Sequence, residues 1–202
     1  MFVASRYATH KKSSSNVCRF SIRDSQKVEF KCLKLQTELL FFDSIMDAGH
    51  FYFVNDQYFI DFPDPMLMKN KESINNQQHN RPCFYAFKDP STKLFWLIPF
   101  SSQFQKYKAI YDKKVQKYKT CDTIVFGDVL GDKKAFLIQN MCPVTPKYIS
   151  NEYITGNSQP VRVSKYLEQE LIKKSIKVLA LQRRGIKLIF PDVLAIEAAL
   201  LK

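Results

Sequence analysis

Five glycines and three histidines in 202 residues, 19 Asp+Glu against 31 Lys+Arg, and no extended apolar run are the shortages of this chain. Each one excludes a class of function. With so little glycine there is no P-loop, no dinucleotide-binding fingerprint and no Gly-x-Ser-x-Gly nucleophile elbow. His10, His50 and His79 are too scattered to build a metal site, and no carboxylate cluster of metal-site type accompanies them. No stretch approaches the roughly 20 apolar residues that cross a bilayer. The opening MFVASRYATHKKSSSN lacks the apolar block of a secretory signal. The expectation is a cytoplasmic protein that binds no membrane, metal or cofactor. Cysteine is scarce and odd in number: Cys18, Cys32, Cys83, Cys121 and Cys142 fit neither a disulfide framework nor a zinc knuckle, and read as reduced, mostly buried residues.

What is present is an ordinary globular composition, 46% hydrophobic and 25% charged, carrying a net charge of +12 and a pI of about 9.4. That charge points to a polyanionic partner. Residues 1–45 supply eight cationic and four acidic side chains, so the body from Met46 onward still carries +8. The first 45 residues show no sustained period of 2 or 3.6, whereas Met46 opens a segment that reads as a clean start, MDAGHFYFVNDQYFIDF. Residues 1–45 are therefore expected to be an N-terminal extension, either a poorly ordered arm or a stretch upstream of a true start at Met46, with the functional domain over 46–202.

Within that domain the pattern predicts a β-run over 50–54, a turn at Asn55-Asp56, and a polar loop with at most one helical turn over 62–81, where two prolines and several amides disfavour regular structure. Three β-runs follow, 82–87, 93–100 and 123–129, the first two forming a hairpin. Gly131-Asp132-Lys133-Lys134 reads as a turn before short strands over 135–138 and 141–144. The segment 101–120 carries apolar residues at near-helical spacing. Ser164 caps a helix with a Leu167, Leu171, Val178, Leu179 stripe, ended by Arg183-Arg184-Gly185, and Pro191 starts a second helix through Leu201. The fold class is α+β: a small antiparallel, barrel-like β unit with peripheral helices and a helical C-terminus.

Three constellations could carry chemistry. Lys106, Lys108, Lys113, Lys114, Lys117 and Lys119 face a single acid, Asp112, and are interleaved with Tyr107, Tyr111 and Tyr118. Lysines bind phosphates and tyrosines stack on unpaired bases, although the same pattern suits a solvated helix face whose tyrosines enter the core. At Ile98-Pro99-Phe100-Ser101-Ser102 an apolar strand ends in two hydroxyls, placed either to act on a ligand or to cap a helix. His79, beside Asn80 and Arg81, can carry a proton or serve as a surface residue.

The runs FYFVNDQYFIDF, HNRPCFYAF, LFWLIPFSSQFQKYK and KAFLIQNMCPV, followed by a helical end, resemble the toxins of type III toxin-antitoxin systems, the ToxN/AbiQ superfamily, closest to its CptN branch. The resemblance spans about residues 46–202. It implies a compact SH3-like β-barrel of the MazF/Kid type and a metal-independent endoribonuclease that leaves 2′,3′-cyclic phosphate and 5′-OH ends. It further implies a role in phage defence and an antitoxin RNA of tandem pseudoknot repeats, assembled with the toxin into a closed ring. Carried over by position, the catalytic residues would be Tyr58, Ser101, Ser102 and Lys106, with Lys108 as the alternative lysine and Arg81 standing in for a second family lysine. His79, Arg81, Lys108, Lys113, Lys114 and Lys117 would hold RNA. The competing reading from residues alone is a non-catalytic RNA-binding module on an SH3-like barrel.

Overall fold

The computed structural model describes residues 46–74 and 77–202, and for 71–74 and 77–79 the backbone alone. The expected extension 1–45 lies outside the described residues. The elements in chain order are β1 (Phe51–Val54), α1 (Asp56–Asp61), β2 (Lys71–Ile74), β3 (Gln77–Asn80), β4 (Pro82–Lys88), β5 (Phe95–Ser101), α2 (Phe104–Tyr118), β6 (Val125–Val129), β7 (Asp132–Phe136), β8 (Cys142–Val144), β9 (Ile149–Glu152), α3 (Lys165–Arg183) and α4 (Val193–Leu200). No helix among the described residues is long and apolar enough to cross a membrane.

Seven strands form one antiparallel sheet in the order β6-β7-β5-β4-β1-β9, with β8 on the side of β5. Strand β5 is the spine. One edge pairs with β4 along its length, while the other is divided: Phe95–Leu97 pair with β8, and Phe100–Ser101 pair with β7. Pro99 lies where the partner changes, so its missing N–H falls between two ladders instead of breaking one. Its carbonyl accepts from Leu137 N at 2.9 Å. The α+β class with an antiparallel sheet is as expected, but the pairing is an open path ending at β6 and β9, and a closed SH3-like barrel is not what these ladders form. Among the described residues β6 and β9 do not pair, and β8 lies off the path, against β5.

Alternation along the strands gives the sheet two faces. On one, Phe51, Phe84, Ile98, Phe100, Phe136 and Val125 meet the apolar stripe of α3, Leu167, Leu171, Val178 and Leu179. That helix starts and stops as its sequence dictates. Ser164 Oγ accepts from Leu167 N, Gly185 adopts φ +89°, and Ile186 N returns to Leu181 O at 3.1 Å to close the last turn. Gly127 on β6 lets α3 approach, since a Cβ there would lie 2.0 Å from Leu167 Cδ2. The other face carries two satellite clusters. Tyr52, Cys83, Leu97 and Val144 pack with Tyr58 of α1 and Ile196 of α4. Ile124, Ala135 and Leu137 pack with Tyr107, Ile110, Tyr111 and Val115 of α2.

Three local expectations differ. Asn55 is a helix cap, its side chain accepting from Tyr58 N, so α1 stands where a turn was expected. The polar segment contains the β2–β3 hairpin, with register from Lys71↔Asn80 to Ile74↔Gln77. The β6–β7 turn is Leu130-Gly131, so Asp132, Lys133 and Lys134 belong to strand β7 and not to a loop.

Candidate active site

Leu167 of α3 lies over Gly127 on this face of the sheet, and a cleft of about 430 Å³ is lined by other residues of the same face. Its apolar half is the continuation of the core face: Phe53, Pro82, Phe100, Val129, Leu130 and Tyr153. Its polar half holds Asn80, Ser102, Asp132, Lys134 and Asn151. The register explains the grouping. Phe53 faces Pro82 across β1 and β4, and Cys83 faces Pro99 across β4 and β5, which sets Phe100 opposite Pro82. Phe100 faces Phe136 across β5 and β7, and two residues further on the same side Ser102 comes opposite Lys134.

Lys134 connects the polar groups. Its Nζ donates to Ser102 Oγ at 3.3 Å and to Asp132 Oδ2 at 3.1 Å, and its side chain is mostly sheltered while that of Asp132 is exposed. A cation held between a hydroxyl and a carboxylate, on a rigid hairpin, suits an anionic group bound in the cleft. Asn80 and Asn151 add amide donors and acceptors, and the Tyr153 ring stands edge-on to Phe53 with centroids 5.6 Å apart. Among the described residues no group of three or more His, Cys, Asp or Glu side chains is gathered as metal ligands.

The residues singled out from sequence divide between the two faces. Ser102 lines the cleft. Ser101 is buried, points to the opposite face with Ala135, and its Oγ accepts from Gln103 N at 3.2 Å, so it shapes the turn into α2. Tyr58 is fully buried among Phe59, Phe62 and Tyr148 on the opposite face, donating to Pro143 O at 2.9 Å. Burial holds its phenol well above the ordinary tyrosine pKa. The chain therefore gives Tyr58 a packing role, because the Asn55 cap turns α1 toward that face. Arg81 alternates away from the cleft between Asn80 and Pro82. Its guanidinium donates to Phe100 O at 2.9 Å and to Lys69 O at 3.2 Å, pinning the end of β5 that carries Ser102. His79 lies in β3 opposite Glu72 in the backbone register.

The lysines of α2 sit on the far side of β7. Lys106 is exposed, with its Nζ over the Tyr107 ring, and does not line the cleft. Lys108 is paired with Asp112 one turn on. Lys114 is turned inward, donating to Thr123 Oγ1 at 2.8 Å and Gln139 Oε1 at 2.7 Å, and burial lowers its pKa. It therefore braces α2 against the sheet instead of meeting a phosphate. Lys113 and Lys117 are exposed, and Lys117 lies over the ring of the exposed Tyr118. Tyr107 and Tyr111 are partly buried against the cluster of Ile124, Ala135 and Leu137. Sequence reasoning missed Lys134, Asp132, Asn151 and Tyr153. For Lys134 the signal existed in KKAF, a strand of alternating faces that the neighbouring glycine disguised as a turn.

The molecule is thus an α+β protein on an open antiparallel sheet, with a serine–lysine cleft where one sheet face is left uncovered. No protein-family model matches the chain, and no curated protein sequence matches it. Among solved structures it is similar to AbiQ, a lactococcal anti-phage endoribonuclease belonging to the type III toxin-antitoxin system. The TM-score is 0.55 at 18% identity, over 76% of this chain and 96% of AbiQ. At that identity the likeness is one of fold.

Proposed function

We propose that this protein is a metal-independent endoribonuclease toxin of a type III toxin-antitoxin system. The observation that carries the reading is the Ser102–Lys134 contact in an open cleft of a chain with AbiQ-like fold and a net charge of +12. In such a reaction the substrate's own 2′-oxygen attacks phosphorus. The O2′–P bond forms, the P–O5′ bond breaks, and the products are a 2′,3′-cyclic phosphate and a 5′-OH. The protein has to hold the phosphate, offset the negative charge of the phosphorane, and exchange one proton at each oxygen.

Lys134 would supply the positive charge and Ser102 a hydrogen bond to a non-bridging oxygen, preorganised by their mutual contact. Asp132 orients Lys134, and Asp132, Lys134 and Tyr153 are the cleft groups able to accept or give the two protons. Arg81 acts from behind, by fixing Phe100 O and hence the end of β5. The exposed Lys106, Lys113 and Lys117 of α2 would hold RNA outside the cleft. On this reading the partner is an antitoxin RNA of tandem pseudoknot repeats, forming a closed ring with the toxin in the cytoplasm of a host defended against phage. The CptN branch is the family position that the resemblance favours.

The deciding experiment is end-group analysis of RNA incubated with the protein in EDTA. Cyclic-phosphate and 5′-OH termini, strongly reduced with Ser102→Ala, are expected. Intact RNA bound with salt-dependent affinity would replace the enzyme by a non-catalytic RNA-binding module.

A further inference from the structure

The β6–β7 hairpin turns on two residues, Leu130 and Gly131, between the register pair Val129↔Asp132. Both have positive φ, +54° and +85°. A two-residue turn with both φ positive calls for Asn, Asp or Gly at its first position, and a leucine held there strains its backbone. Burial of the side chain could offset that cost, but Leu130 is 59% exposed. The folded chain alone therefore gives no return for this leucine. It does line the cleft, with Phe53, Phe100 and Tyr153, and the strand that leaves the turn carries Asp132 and Lys134.

We infer that Leu130 is a specificity-determining residue that packs on an unpaired nucleobase of the RNA, in the apolar half of the cleft next to the phosphate held at Ser102 and Lys134. The ligand class follows from the lining. A phosphodiester at the polar half brings with it a flat, apolar-faced ring within reach, and rings of that kind stack on tyrosine and phenylalanine. Tyr153 and Phe53 provide the aromatic wall, and Leu130 provides an apolar cover whose solvent exposure ends when the base enters. Asn80 and Asn151, also on the cleft wall, present the hydrogen-bonding groups that distinguish one base edge from another. Because the turn and Lys134 belong to one hairpin, a base seated under Leu130 also fixes its phosphate against the lysine.

This inference rests on the endoribonuclease reading, and the test separates the two. Short single-stranded RNAs, each varied at one nucleotide flanking the cut, are cleaved by wild type, Leu130→Asn and Leu130→Met, and thermal unfolding is measured for all three. Leu130→Asn is expected to raise the melting temperature by a few degrees. It should lower kcat/KM tenfold or more and flatten the preference among bases at one flanking nucleotide, while Leu130→Met keeps that preference. A Leu130→Asn protein with wild-type kcat/KM and wild-type preference overturns the inference and leaves the enzyme reading standing. A lower melting temperature for Leu130→Asn removes the strain argument and overturns it as well. Wild-type protein that leaves every RNA intact removes both.

Discussion

Lys134 stands across the continued β5–β7 ladder from Ser102, and its Nζ donates to Ser102 Oγ at 3.3 Å. The same register sends the preceding serine, Ser101, to the opposite face beside Ala135. Two adjacent hydroxyls in the sequence thus have unrelated surroundings, one in a cleft and one in a turn.

The serines should separate cleanly in activity. Ser102→Ala is expected to reduce RNA cleavage by about 10²–10³-fold, the usual consequence of losing one donor to a developing charge. Ser101→Ala should leave kcat within a few-fold and cost about 1 kcal/mol of stability through loss of the bond from Gln103 N. Single-turnover kinetics and urea unfolding of both variants check this. Equal activity losses would remove the two-face assignment.

Among the lysines, kcat and KM should part. Lys134→Met is expected to lower kcat a hundredfold or more, because a cation beside the phosphorane acts in the transition state. Lys106→Ala, Lys113→Ala and Lys117→Ala should leave kcat nearly unchanged, raise KM, and reduce the salt dependence of RNA binding. A collapse of kcat in Lys106→Ala would return the catalytic role to the start of α2.

Tyr58→Phe should retain full cleavage activity. The variant removes a buried donor from Pro143 O, and a buried carbonyl left unpaired costs about 1–3 kcal/mol. Thermal unfolding should register that cost. A tyrosine that touched substrate would instead lose activity at unchanged stability.

Acid should weaken the tie between α3 and the β4–β5 turn. Burial alone would push the Asp89 carboxyl up. Hydrogen bonds from Ser91 N at 2.8 Å and Ser91 Oγ at 2.6 Å, together with Arg183 Nη2 at 2.6 Å, outweigh it and hold its pKa at about 2, below the ordinary 3.8. A depressed folded-state pKa means stabilisation that is present above about pH 4 and is lost as pH falls toward 2, worth roughly 2 kcal/mol. Asp89→Asn should lower stability at neutral pH and flatten its fall between those values, measured by denaturant titration across that range. An unchanged pH slope in Asp89→Asn would assign the acid sensitivity elsewhere.

The parts of the fold legible from sequence are those set by local chemistry. Ser164, the leucine stripe and Gly185 define α3 because cap, periodicity and left-handed stop all lie within the helix's own residues. The β4–β5 hairpin was legible for the same reason. What escaped depends on partners distant in the chain. The one-residue placement of the β6–β7 turn decides which face Lys134 occupies, and a turn that uses Leu130 at positive φ gives no compositional sign of itself. For Tyr58 and Ser101 the same limit holds: residue type suggests chemistry, but the face of the sheet is a property of the register. Arg81 kept a part in the site through a backbone carbonyl, Phe100 O, which no side-chain pattern announces.

The glycine under Leu167 gives the cleft a movable boundary. Helix α3 is capped by Ser164, and its Leu167 lies against Gly127, two residues short of Val129 on the cleft wall. How much of that face becomes interior and how much becomes binding surface is thus decided by where one helix starts. An added turn of helix before Ser164 would cover more of that face and shorten the cleft by about 5 Å, and loss of a turn would lengthen it, without touching Ser102 or Lys134. The length of the cleft and the Ser102–Lys134 contact can therefore change independently of one another.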